Sequence, residues 1–190
     1  MSDQKIRSFI ALELSDEVLE ELERIEAILK EAGADVKWVK PGSIHLTLKF
    51  LGNITEEQIP RITERLKEIA FAVPPFDMAL DGIGVFPKWS YAKVLWVGAG
   101  KGADTVGDLA AQVEEAMAEE GFEKEDRPFS AHLTLGRIRT SKNKGKLREL
   151  AGSVDVRPAV SHISRIVLFR SDLSPKGAVY TYLSTAELSG

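Results

Sequence analysis

The chain has 190 residues, a formal net charge of −4, 44% hydrophobic and 28% charged residues, and no cysteine. That length suits one large domain or two tightly joined lobes around a core of useful size. The missing cysteines exclude disulfides and thiolate chemistry, and the acidic balance argues against a nonspecific coater of nucleic acid while leaving room for a small anion pocket.

The first predicted element is a strand over residues 6–14. Its apolar run is short and broken by Glu13, so it reads neither as a signal peptide nor as a membrane span, and a cytoplasmic protein is expected. Ser15 looks like an N-cap for a helix over 16–32, where Val18, Leu19, Leu22, Ile25, Ile28 and Leu29 recur at helical spacing. Gly33 suits the position just past its end. Residues 36–40 and 44–51 alternate like strands. Thr55 and Gln58 form a capping-box pattern for a helix over 56–71. A strand over 76–86 ends at Pro87-Lys88. A strand over 92–98, a helix over 103–120 closed by Gly121, and a strand over 129–138 then repeat the earlier order. A short helix over 143–151 and strands over 162–171 and 177–186 complete the chain.

The repeat carries the chemistry. His45 and His132 open the same tetrapeptide, His-Leu-Thr-Leu, at an offset of 132 − 45 = 87 residues, and only one other histidine, His162, exists. A second histidine followed by the same three residues is a chance event on the order of one in a thousand. Side chains alternate along a strand, so His45 and Thr47 share one face while Leu46 and Leu48 take the other. The same holds for His132 and Thr134 against Leu133 and Leu135. If the two halves face each other, two imidazoles and two hydroxyls converge. One neutral and one protonated imidazole can divide the two proton transfers of phosphodiester hydrolysis, and hydroxyls can hold the phosphate oxygens. Nothing in that scheme needs a metal or a cofactor. Zinc usually takes three or four protein ligands, and neither HExxH nor HxH occurs. Gly82-Ile-Gly-Val lacks the third glycine of a dinucleotide fingerprint, and Gly98 to Gly102 lacks P-loop spacing.

These residues resemble the 2H phosphoesterases, and within them the RNA 2′,3′-cyclic phosphodiesterases once called 2′-5′ RNA ligases. The resemblance rests on His45-Leu-Thr-Leu running through Lys-Phe-Leu to Gly52, and on His132-Leu-Thr-Leu-Gly-Arg137. It extends to Arg7-Ser-Phe-Ile-Ala, Lys37-Trp-Val, Gly82 to Pro87 and Val94 to Gly98, in order over nearly the whole chain. One departure is Ala131, where many members carry proline. The resemblance implies an α+β fold with a bilobal, pseudo-symmetric domain over 1–190, two antiparallel sheets lining a central cleft and helices outside. It implies hydrolysis of RNA 2′,3′-cyclic phosphate ends to a 2′-phosphate, with His45 as proton donor, His132 as proton acceptor and Thr47 and Thr134 holding the phosphate. Reversible 2′-5′ joining of RNA ends is a side reaction it allows. A binding module without turnover, or a cyclic phosphodiesterase acting on a small nucleotide, are the alternatives.

The remaining expectations are local. Lys49, at i+4 from His45, is expected on the histidine face, within reach of the phosphate or at the cleft rim. Arg137 falls on the leucine face by strict alternation, but a bulge at Gly136 would turn it to the phosphate. Trp38, Phe50, Phe86 and Trp89 are candidates for stacking on a base, with Phe86 and Trp89 flanking a loop that could gate the cleft and Phe50 expected in the core. Arg139, Lys142, Lys144 and Lys146 extend the basic stretch beyond Arg137. His162 reads as structural or surface. A monomer is the default.

Overall fold

The computed structural model describes residues 5–175 and 177–190. Among the described residues, nine strands and four helices form two antiparallel sheets backed by helices. The first sheet takes β3 (Leu46–Ile54), β1 (Ile6–Leu12), β8 (Arg165–Ser174) and β9 (Gly177–Glu187), in that order. The second takes β2 (Val36–Trp38), β6 (His132–Ile138), β5 (Val94–Ala99), β4 (Phe76–Phe86) and β7 (Val160–Ile163). The expected strand over 162–171 is thus two strands in different sheets.

The first helix begins where its cap places it. For α1 (Asp16–Lys30), the Ser15 hydroxyl accepts the Val18 N–H at 3.3 Å, and Asp16 and Glu17 favour the positive end of the helix dipole. For α2 (Gln58–Phe71), the Gln58 side chain reaches back to the Thr55 N–H at 2.9 Å, half of the expected capping box. Gly121, at φ +91°, follows α3 (Ala103–Glu119), as Gly33, at φ +63°, follows α1. The last helix, α4 (Lys144–Ser153), packs against α1. No helix among the described residues is long and apolar enough to cross a membrane.

The two sequence repeats are not two separate halves in space. β4 of the first repeat pairs with β5 of the second, and β8 of the second pairs with β1 of the first. The helices cross as well: α1 follows β1 of one sheet yet packs on β7 of the other, while α3 follows β5 and packs on β3. One contiguous core results, joining Ile10, Leu12, Leu46 and Leu48 of the first sheet to Leu95, Val97, Leu133 and Leu135 of the second. Burying the leucines of both motifs in that core forces the histidine and threonine of each motif onto the opposite face.

Candidate active site

Both motif strands alternate as expected up to threonine, and both then break the rule at the same place. In the first sheet Ala11 faces Thr47 and Ile10 faces Lys49, so Leu48 is an extra residue in the ladder. In the second Trp96 faces Thr134 and Leu95 faces Gly136, so Leu135 is the extra one. A bulge reverses the faces of everything downstream. Lys49 and Gly136 therefore turn to the core side, and Phe50 and Arg137 turn to the histidine side.

This geometry corrects two expectations. Lys49 is not on the histidine face: its side chain is 1% exposed and its ammonium donates to both carboxylate oxygens of Glu114, at 2.8 and 2.9 Å, and to the Glu123 carbonyl at 2.8 Å. Phe50 is not core: it is 64% exposed, with its ring 6.0 Å from that of Phe9. Arg137 is exposed and stands in one row with Val94 and Phe86, next to the row of Thr134, Trp96 and Gly84. The bulge that turns it lies one residue before Gly136. Lys37, exposed on the edge strand β2, pairs with Arg137 and adds a second cation there.

The His132 ring is fixed from behind. His132 Nδ1 donates to the Ser130 carbonyl at 2.7 Å, since a carbonyl can only accept. The backbone of Ser43, again two residues upstream, lies beside His45 and favours its protonated form. With Nδ1 occupied, Nε2 of His132 is the atom presented outward. Pro41 and Pro128 also correspond, so the repeated unit is Pro-x-Ser-x-His-Leu-Thr-Leu. That longer match was available in the sequence and marks the serine whose carbonyl sets the His132 ring.

The ring environments differ. His45 lies among Phe169, Tyr180 and Phe9, with centroids at 4.6, 5.2 and 6.1 Å. Burial in this cage lowers the His45 pKa below the ordinary histidine value, against the opposing pull of the Ser43 carbonyl and the Glu13 charge. His132 meets Phe86 edge-on at 4.9 Å and Trp96 at 6.4 Å. Phe86 thus borders the histidine, while Trp89 sits in a 3-10 turn, Trp89–Tyr91, and packs half-buried against the core. Trp38 also packs on the core, under the Lys30 ammonium 5.6 Å from its centroid. Lys144 and Lys146 belong to α4 on the helical side, so the basic stretch does not continue along the motif face. His162 is an exposed partner of Asp77 at 3.0 Å.

The two motifs meet through the backbone. β3 and β6 approach with Cα atoms within 8 Å. β2 runs beside β6, with the Val39 N–H donating to the Leu135 carbonyl at 2.8 Å, and a 3-10 turn over Pro41–Ser43 then carries the chain directly into His45. The strands that carry the two motifs thus meet at one junction between the sheets.

A fold of this kind, with one His-x-Thr pair on each of two intertwined sheets, defines a class of phosphoesterase. A family model described as "LigT like Phosphoesterase" matches the chain twice, over residues 12–96 and 97–180. The chain belongs to that family. An RNA 2′,3′-cyclic phosphodiesterase of Methanothermobacter thermautotrophicus is 35% identical over 185 residues, covering 97% of this chain and all of the relative. The crystal structure of TT0787 of Thermus thermophilus superposes with a TM-score of 0.80 at 28% identity, covering 97% of this chain and 99% of that one. Escherichia coli LigT complexed with 3′-AMP superposes with a TM-score of 0.77 at 24% identity, covering 98% of this chain and 100% of that one, which bears on the fold.

Proposed function

We propose that this chain hydrolyses 2′,3′-cyclic phosphates at RNA ends to 2′-phosphates by two-histidine acid–base catalysis without a metal. The observation that carries it is the duplicated unit: a histidine and a threonine on one face of a strand, present on two strands that meet at one junction, with the His132 ring pinned by the carbonyl two residues upstream. The 35% identical relative, itself an RNA 2′,3′-cyclic phosphodiesterase, supports the substrate class.

In this scheme His132 takes a proton from water through Nε2 as the water oxygen attacks phosphorus. The P–O3′ bond breaks, and His45 gives its proton to the departing 3′ oxygen. Thr47 and Thr134 donate to the non-bridging oxygens, and Arg137 offers a guanidinium to the same charge. Phe50 and Phe86 supply exposed or half-exposed aromatic faces for a base. With a 5′-hydroxyl in place of water, the same displacement joins RNA ends 2′-5′, and attack of the 3′-hydroxyl on that linkage reverses it to the cyclic phosphate. No group of three or more His, Asp or Glu among the described residues is placed as a metal-ligand set. We read the enzyme as a cytoplasmic monomer.

The lowered pKa of His45 favours a second assignment, in which His45 is the neutral base and His132 the acid. An anionic phosphate beside the ring raises that pKa again, and a donor is needed only once the phosphate is bound. The first assignment therefore stands as the proposal.

The test of activity is incubation of the purified protein, with chelator, with a short RNA ending in a 2′,3′-cyclic phosphate, followed by phosphorus NMR of the product. A 2′-phosphate formed with chelator present is expected. An unchanged substrate, or a 3′-phosphate, would sink the proposal.

A further inference from the structure

We propose that Lys49 and Gly136 are positioning residues, each coupling one motif strand to the segment that delivers the histidine of the other motif. The two residues are equivalent by the 87-residue offset, and each is the first residue after its bulge, turned away from the substrate face.

Lys49 spans from β3 to the second repeat. Its ammonium, inaccessible to solvent, neutralises Glu114 of α3 and holds the Glu123 carbonyl at 2.8 Å. Glu114 in turn accepts the Glu125 N–H at 2.8 Å. Glu123 and Glu125 lie on the segment that leaves α3 and runs into Ser130 and His132. One buried cation on the first motif strand thus fixes the approach to the second histidine. A buried lysine would not be retained here for solvation, and both ends of its contact set bear on that segment.

Gly136 does the converse by being absent in volume. A Cβ built there would stand 2.6 Å from Val36 Cγ1 and 3.0 Å from the Lys37 carbonyl oxygen. Only glycine lets β2 lie so close to β6, and β2 leads through Trp38, Val39 and the 3-10 turn to Ser43 and His45. Each motif strand therefore sets the far histidine as well as carrying its own. The catalytic spacing is built into the junction rather than left to separate lobes.

The assignment rests on the two-histidine reading only for its turnover readout. The other readout is nitrogen NMR of the imidazoles, resolvable because the chain has three histidines. Lys49→Met is compared with Lys49→Met/Glu114→Leu, which removes both charges and leaves no orphaned carboxylate if the single variant fails to fold. The expected result is a fall in kcat of about tenfold or more with KM within about threefold, as for a misplaced group that does not touch substrate. The His132 ring signals should shift or broaden while those of His45 keep their positions. Gly136→Ala should do the reverse, moving the His45 signals. A lowered melting temperature with unchanged kcat and unchanged ring signals would overturn the proposal, leaving Lys49 a structural ion pair. A Lys49 variant that perturbs His45 alone would overturn it as well. If the wild type fails to turn over a cyclic phosphate, the proposed activity fails, and the ring signals still decide the positioning roles.

Discussion

Two substitutions with the same chemistry, Gly84→Ala and Gly107→Ala, should move stability in opposite directions. Gly84 on β4 faces Trp96 across the ladder, and the indole lies over it. An added Cβ would stand 2.3 Å from Trp96 Cζ2 and 2.4 Å from Cη2. Ordinary carbon contacts begin near ~3.5 Å, so the ring must move by about 1 Å. It has little room, with the Phe86 ring 5.1 Å away on one side and His132 6.4 Å away on another. Overpacking of this sort costs about 1–3 kcal/mol, more than the entropy recovered by replacing glycine in a strand. Gly107 lies inside α3, and a Cβ added there would meet nothing within 4 Å, so alanine should add about 0.5–1 kcal/mol. At about 2–4 °C per kcal/mol for a chain of this size, Gly84→Ala should melt about 2–12 °C below the wild type and Gly107→Ala about 1–4 °C above it. Calorimetry of the three proteins measures both. A Gly84→Ala protein that melts at or above the wild type would refute the tight seating of Trp96 against the His132 site.

Further outcomes follow from the same geometry. Ser15→Ala removes an N-cap whose hydroxyl also donates to the Val160 carbonyl at 2.9 Å, and should cost about 1 kcal/mol in denaturant unfolding. Because burial lowers the His45 pKa in the folded protein, the unfolded chain takes up that proton first as pH drops below about 6.5. Stability tied to His45 is thus fully present above that value and is lost as pH falls toward the lower folded pKa. Urea midpoints from neutral to acid pH should fall more steeply for the wild type than for His45→Gln. Arg137→Ala should raise KM for a cyclic phosphate by roughly ten- to a hundredfold, the worth of a hydrogen bond to a charged group, while stability stays within about 0.5 kcal/mol.

Much of this was legible from the sequence because it depends on local rules. The caps at Ser15 and Gln58, the periodicity of Leu22, Ile25 and Leu29, and the split of His45 and Thr47 from Leu46 and Leu48 all follow from residues a few positions apart. The failures occur where partners are distant. Strict alternation assumes an uninterrupted ladder, and the extra residues Leu48 and Leu135 break it. The inward lysine is explained only by Glu114, 65 residues away on a helix of the other repeat. Trp89 borders a promising loop in sequence, yet the 3-10 turn directs it to the core. The exchange of β4 and β8 between sheets has no local signature, because a strand's own residues do not name the distant strand it pairs with.

The division of proton transfer between His45 and His132 is tested most directly by changing the leaving atom. Rates are measured for the wild type, His45→Ala and His132→Ala on an RNA end whose cyclic phosphate carries 3′ oxygen, and on its analogue with sulfur at that bridging position. A thiolate leaves without protonation, so losing the acid should matter far less with sulfur, while losing the base should matter equally with both. Both variants are expected to be inactive on the oxygen substrate, and His45→Ala alone is expected to recover on the sulfur one. Recovery of His132→Ala instead would exchange the two roles, and full activity of either variant on the oxygen substrate would contradict two-histidine catalysis itself.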